Sequence, residues 1–183
     1  MPRYSLVSIL LLAGCSTTGT GLSTVQTTPA TTEVETAAGR YSITSTGEQL
    51  VFSQTLHAPS NHVWTALPMV FETLEISAGV VTENQSYGNP SLRVNGRLAG
   101  ERASLYLDCG KTPIGAPAAD SYSTDANVLA TLQPSGQEST HLQIRLHGVA
   151  TPRAGGGRAP CTTTGKLENR IAEELTALFQ PRP

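Results

Sequence analysis

The chain has 183 residues, with 12 Lys and Arg against 14 Asp and Glu and a net charge of −2. That length suits one domain plus an appended segment, and a near-balance of charge with no basic stripe argues against nucleic acid as a partner. Aromatic residues make up only 5%, so the core has to come from Leu, Val, Ile and Ala.

A basic start, Met1-Pro2-Arg3, precedes a mostly apolar run from Tyr4 to Gly14. A membrane-spanning helix needs roughly twenty apolar residues. This run is too short to span and has the dimensions of the apolar part of a secretory signal. It ends Leu12-Ala13-Gly14-Cys15, which resembles the lipobox of bacterial lipoprotein precursors. Small side chains at 13 and 14 let an extended chain enter a peptidase cleft. Cys15 supplies the thiol for a diacylglycerol thioether. The resemblance implies that residues 1–14 are a signal peptide and that Cys15 is the lipidation site. It also implies a further acyl chain on the new amino terminus. Ser16 resembles the outer-membrane-sorted class of a diderm cell. Two or more acyl chains anchor stably. The implied partner of Cys15 is therefore a membrane, and the implied location is the cell envelope, on the outer membrane facing the periplasm in a diderm cell. No later stretch is apolar enough to span.

Residues 15–39 follow as a Thr-, Ser- and Gly-rich segment without an aromatic. Such a composition buries little apolar surface and reads as a flexible tether carrying the lipidated Cys15. A single domain is expected over 40–181. Tyr41–Ser45 and Gln49–His57 have strand character, and Thr46-Gly47-Glu48 between them is a turn signal, which predicts a hairpin. Leu50, Phe52 and Leu56 share one face of the second strand.

A helix is predicted over about 60–75, with Ser60 as N-cap. Val63, Leu67, Val70, Phe71 and Leu74 form its apolar stripe, and Pro68 inside it predicts a kink. Trp64, the single tryptophan, is expected in the core or at the edge of a groove. Strands are expected at Gly79–Glu83, Ser91–Leu98, Ala103–Cys109, Ala126–Gln133 and Thr140–Val149. The last alternates most cleanly. Leu142, Ile144 and Leu146 face one way, and His141, Gln143, Arg145 and His147 the other, as in an antiparallel sheet with one wet face. Pro134-Ser135-Gly136 joins the last two strands. Residues 110–122 and 150–160 read as loops. A final helix is predicted over about 166–179, with Leu167, Ile171, Leu175 and Leu178 inward. Glu168 stands in its first turn, where the helix dipole favours negative charge. The fold class is α+β, an antiparallel sheet packed on one face by an early and a C-terminal helix.

With Cys15 assigned to lipid, Cys109 and Cys161 are an even pair in an exported chain, where thiols oxidise readily. A disulfide between them is expected to staple the last helix to the sheet; two separate buried thiols, or a reactive thiol, are the alternatives. Neither cysteine lies in a C-x-x-C or Cys/His cluster, so no metal site is read.

The remaining motifs are weak. Gly110-Lys111-Thr112 and Gly165-Lys166 lack the phosphate-loop glycine, because positions 105 and 160 are Leu and Pro. His141 and His147 stand roughly 20 Å apart on one strand and cannot share a metal. His57 and His62 have no carboxylate or cysteine close in sequence. Asp108 reads as a strand-end carboxylate. No catalytic residue and no cofactor is assigned, and the chain reads as a non-enzyme.

His57-Ala58-Pro59-Ser60-Asn61-His62-Val63-Trp64-Thr65-Ala66-Leu67 resembles two groups, BamC-like outer-membrane lipoprotein domains and START-like folds. Both place an early and a late helix on a sheet. The first implies a non-catalytic accessory or scaffold domain with an envelope protein as partner. The second implies a carrier of a small apolar ligand.

Overall fold

The most regular alternation in the sequence becomes the centre of the sheet. A computed structural model of the chain describes residues 23–25, 30–36, 39–45, 49–81, 86–154 and 156–179. In chain order its strands are β1 (Ser23–Val25), β2 (Ala30–Thr36), β3 (Gly39–Ser45), β4 (Gln49–Leu56), β5 (Gly79–Val81), β6 (Ser86–Val94), β7 (Arg97–Leu98), β8 (Glu101–Arg102), β9 (Leu107–Asp108), β10 (Ser123–Pro134), β11 (Thr140–Thr151) and β12 (Ala159–Thr163). The helices are α1 (Ser60–Thr73), α2 (Ala118–Ser121) and α3 (Lys166–Phe179). The expected signal peptide 1–14, Cys15, the turn at 46–48 and Pro181 lie outside the described residues.

Among the described residues, eight strands form one antiparallel sheet in the order β1-β4-β11-β10-β6-β5, and β12 joins β11 to β9. One side of β11 is shared. Thr140–Arg145 pair with β4, and His147–Ala150 pair with β12. The turn after Pro134 sets the β10–β11 register, with Pro134 opposite Thr140 and Ser123 opposite Thr151. At that register Ala126, Val128 and Ala130 lie on the same face as Leu142, Ile144 and Leu146, and all six are buried. The α+β class is as the sequence implies.

Helices α1 and α3 pack together and cover that face, α1 over β10 and α3 over β4 and β11. The α1 stripe of Val63, Leu67, Val70, Phe71 and Leu74 is buried throughout. The helix does start at Ser60, but Pro59 is the cap residue and no side chain caps it. The Pro59 carbonyl accepts from the amides of His62 and Val63 instead. In α3, Leu167, Ile171 and Leu175 are buried, whereas Leu178 is 44% exposed. The i+4 row from Leu167 runs to Phe179, which packs on the core in its place.

Several expected strands differ. β3 pairs with β2, and β4 pairs with β1 and β11, so the predicted 41–57 hairpin is replaced. β4 gains more from β11, where Phe52 stands opposite Ile144 in the core. The segment 15–39, read as a tether, contains β1 and β2. Its Thr and Val residues favour extended backbone once an edge is there to pair with. The expected strand 103–109 is mostly a 3-10 turn at Ala103–Leu105, leaving only Leu107–Asp108 extended. The Asp120 carboxylate takes both the amide and the hydroxyl of Ser104, at 2.8 and 2.7 Å, and draws the backbone out of strand geometry. The expected strand 91–98 begins earlier, as β6, and breaks at Gly96, whose φ of 80° belongs to the left-handed region. The expected loops are partly ordered: α2 lies in 110–122, and β12 begins at Ala159.

Cys109 and Cys161 form a disulfide with Cα atoms 4.1 Å apart. Thr162 opposes Asp108 in the β12–β9 pair, which makes Cys161 and Cys109 the next directly opposed pair. The bridge therefore joins adjacent strands. It does not staple α3 to the sheet, because Cys161, although just ahead of α3, lies inside β12, itself a strand of the sheet.

Candidate functional site

The space between sheet and helices is filled. Val63, Leu67, Leu142, Ile144, Leu167, Ile171 and Leu175 are all 0% exposed. This layer holds the domain together and offers no chamber of its own among the described residues.

Concavity is found at the sheet edge. After α1 the chain turns sharply at Glu75 (φ 56°). The amide of Ile76 donates to the Phe71 carbonyl, and the chain enters β5. A groove of about 520 Å³ lies along this edge strand, lined by Ala78, Val80, Val81 and Pro90. A second, of about 390 Å³, lies between the end of α1 and Tyr87 and shares Ser77 and Ala78 with the first. Glu75 links the second groove to a third, of about 260 Å³, beside Arg93 and Arg97. Val80 (60% exposed) flanks this run, and Met69 (50%) stands exposed on α1. Phe71 and Trp64 hold Tyr87 edge-on, with ring centroids at 5.4 and 6.2 Å. Tyr87, which lines the second groove, is thus tied to the core by edge-to-face rings.

β5 is three residues long and, among the described residues, pairs on one side only, with β6. Its other side presents backbone donors and acceptors without a partner strand. Such an edge accepts an added strand.

The face away from the helices is polar. Strand register lines up Asn127, His147, Thr162 and Asp108 in one row across β10, β11, β12 and β9. His147 is exposed, while Asn127 Oδ1 and Thr162 Oγ1 on either side are buried without a partner. Asp108 is engaged, accepting from the Gly110 amide at 2.9 Å. His141 Nε2 lies 3.4 Å from Gln143 Nε2 on the same face. Among the described residues no group of three His, Cys, Asp or Glu converges in a way that could hold a metal ion.

Glu168 is the strongest electrostatic anomaly. It is 0% exposed, accepts from the Thr163 hydroxyl at 2.9 Å, and has Oε1 unpartnered. Burial pushes its carboxyl up to about 7, against the lowering effect of the Thr163 hydroxyl and its own backbone amide. The helix dipole, invoked from sequence to favour charge at this position, is outweighed by desolvation.

The other residues singled out from sequence are dispersed. His57 and His62 are exposed around the start of α1. Gly110-Lys111 opens a loop, and Gly165-Lys166 opens α3, where the Gly165 amide donates to Thr163 Oγ1 at 2.9 Å. Trp64 is half-buried and meets Tyr87 edge-on. The groove itself was not read from sequence. Its one local signal was Gly79-Val80-Val81, a short apolar strand with no apolar alternation after it. No protein-family model, no curated protein and no solved structure matches this chain, so its role has to be argued from its own residues.

Proposed function

We propose that this protein is an envelope lipoprotein, anchored by lipid on Cys15, whose domain is a non-catalytic binding or scaffold module for another envelope protein. The observation that carries the binding role is the contrast between a filled sheet–helix layer and an open groove along the β5 edge, which has no partner strand among the described residues. A carrier of an apolar ligand needs an enclosed volume between sheet and helices, and tightly packed Leu and Ile occupy that place. A short extended segment of a partner fits the β5 edge through backbone hydrogen bonds, with Val80 and Ala78 receiving its side chains.

The test is site-specific photocrosslinking from Val80 in cells, with mass spectrometry of the adduct. One dominant envelope protein is expected, and the crosslink should fade when Val81→Pro blocks strand addition. Crosslinks to lipid alone, or an equal yield from Gln137 in the distant β10–β11 turn, would refute the role of this edge.

A further inference from the structure

The opposite feature, a rigid apolar point, stands at one end of the sheet. β9 runs antiparallel to β12, with Asp108 opposite Thr162. The chain leaving β9 therefore heads toward the start of β12, where residues 152–158 arrive from β11. Loop 110–117 and the residues that flank Gly155, Arg153 and Arg158, therefore belong to the same end of the sheet, the end marked by Ser123 and Thr151.

Loop 110–117 is closed by its own bonds. The Thr112 amide donates to the Ala116 carbonyl at 2.8 Å, the Gly115 amide to the Thr112 carbonyl at 2.9 Å, and the Ala118 amide to the Gly110 carbonyl at 2.9 Å. The Ala116 amide reaches Thr112 Oγ1 at 3.1 Å. The Cys109–Cys161 bridge fixes its base. At the apex Ile114 is 91% exposed, and Pro113 and Pro117 are exposed too. Lys111 is exposed on the same loop, and Arg153 and Arg158 are exposed on either side of the path from β11 into β12; among the described residues none of their side chains makes an ion pair or hydrogen bond. Neither loop contains an acid. The carboxylates that flank loop 110–117 in sequence, Asp108 and Asp120, are bonded to Gly110 and Ser104.

An exposed apolar apex at the same end of the sheet as three exposed cations suits a deformable anionic surface better than a preformed protein pocket, which needs a broader apolar patch. We propose that this end of the sheet is a second, reversible membrane contact, in which Ile114 enters the headgroup–acyl boundary of an anionic bilayer while Lys111, Arg153 and Arg158 meet its headgroups. The proposal rests on the Cys15 anchor, which supplies the high effective concentration that one loop needs. The reach agrees. Eight residues lead from Cys15 to Ser23, a span of at most about 28 Å. Ser23 pairs with Val51, which opposes Arg145, about 20 Å along β11 from Thr151.

The experiment uses the full lipidated protein in vesicles of phosphatidylcholine with and without phosphatidylglycerol. An environment-sensitive dye is placed through Ile114→Cys, with Gln137→Cys in the far turn as reference. With phosphatidylglycerol the dye at 114 should shift to the blue and be quenched by spin-labelled acyl chains, while the dye at 137 does neither. Lys111→Gln or Arg153→Gln should each lower the docked population about fivefold, since a basic side chain near an anionic leaflet gains about 1 kcal/mol. A dye at 114 that stays as solvent-exposed as the dye at 137, on protein that floats with the vesicles, would overturn the second contact. Protein with Cys15 intact that fails to float would refute the anchor, and this contact with it.

Discussion

The Thr163 hydroxyl donates to a Glu168 carboxylate oxygen at 2.9 Å, in a site where Glu168 has no exposure and its second oxygen has no partner. One neutral donor does not replace the water a carboxylate loses, and burial raises the group from 4.5 to about 7. A protonated Glu168 would donate through the oxygen that now has no acceptor, so neither ionic state is fully satisfied.

Stability should therefore depend on pH in a stated direction. Below about 4.5 the carboxyl is protonated in both folded and unfolded chains and costs nothing extra. Between 4.5 and about 7 the unfolded chain releases the proton while the folded one keeps it, so stability falls as pH rises. Above 7 the penalty is constant, on the order of 3 kcal/mol from the size of the shift. Glu168→Gln keeps an acceptor for Thr163 and removes the charge. Urea denaturation should find this variant more stable than the parent at pH 8 and close to it at pH 4. A difference that did not change with pH would defeat the idea.

The disulfide should carry a large share of stability. Cys109 and Cys161 are 52 residues apart in sequence. Opening that loop in the unfolded chain removes a constraint of about 4 kcal/mol in the chain-entropy account. The double variant Cys109→Ala, Cys161→Ala should lose about this much in chemical denaturation, and reductant should bring the parent to a similar midpoint. If the double variant denatured at the parent's midpoint under oxidising conditions, the bridge would be a bystander.

Two glycines on neighbouring strands should respond oppositely. A Cβ on Gly88 would lie 2.0 Å from the Val128 carbonyl oxygen, beside the register shift between Ala126 and Val128. Backbone has to move to admit it. A Cβ on Gly79 meets nothing within 4 Å. Gly88→Ala should cost at least 2–3 kcal/mol, about the range of overpacking, and Gly79→Ala about 0.5 kcal/mol or less. Equal thermal shifts for the two variants would contradict the close approach of β6 and β10.

The parts of this fold legible in sequence are those where one periodicity has no competitor. α3, the α1 stripe and the β10–β11 hairpin each repeat the same residue type on one face over several turns or pleats. The failures occur where a distant partner decides. The 103–109 stretch reads as a strand until Asp120, sixteen residues on, takes the Ser104 amide. β4 reads as half of a local hairpin until Ile144 offers Phe52 a buried neighbour. β12 follows Gly155-Gly156-Gly157 in sequence, and the free half of β11, with β9 on its other side, makes a strand of it. The candidate site suffers most, because a sheet edge and a row of residues across four strands are properties of register. Glu168 was visible as a first-turn acid, but its burial depends on Thr163 and the sheet beneath.

Cys15 is the residue whose chemistry the sequence specifies most narrowly, and its test is separate from every test of the domain. If the lipobox reading holds, Cys15→Ser removes the nucleophile for the diacylglycerol thioether, so the precursor stays uncleaved before residue 15 and gains no acyl chains. Two or more chains are what separates stable anchoring from marginal binding. The variant should therefore move from the membrane to the soluble fraction, or be held only by its uncleaved apolar run, and it should not incorporate labelled fatty acid. The domain should be unaffected: the Cys109–Cys161 bridge and the described core lie within residues 52–175, so the denaturation midpoint should match the parent's. Radiolabelled palmitate incorporation together with the mass of the mature amino terminus decides it. Unchanged labelling and unchanged processing in Cys15→Ser would end the lipoprotein reading, while leaving the β5 groove as a feature to be explained in a protein held some other way.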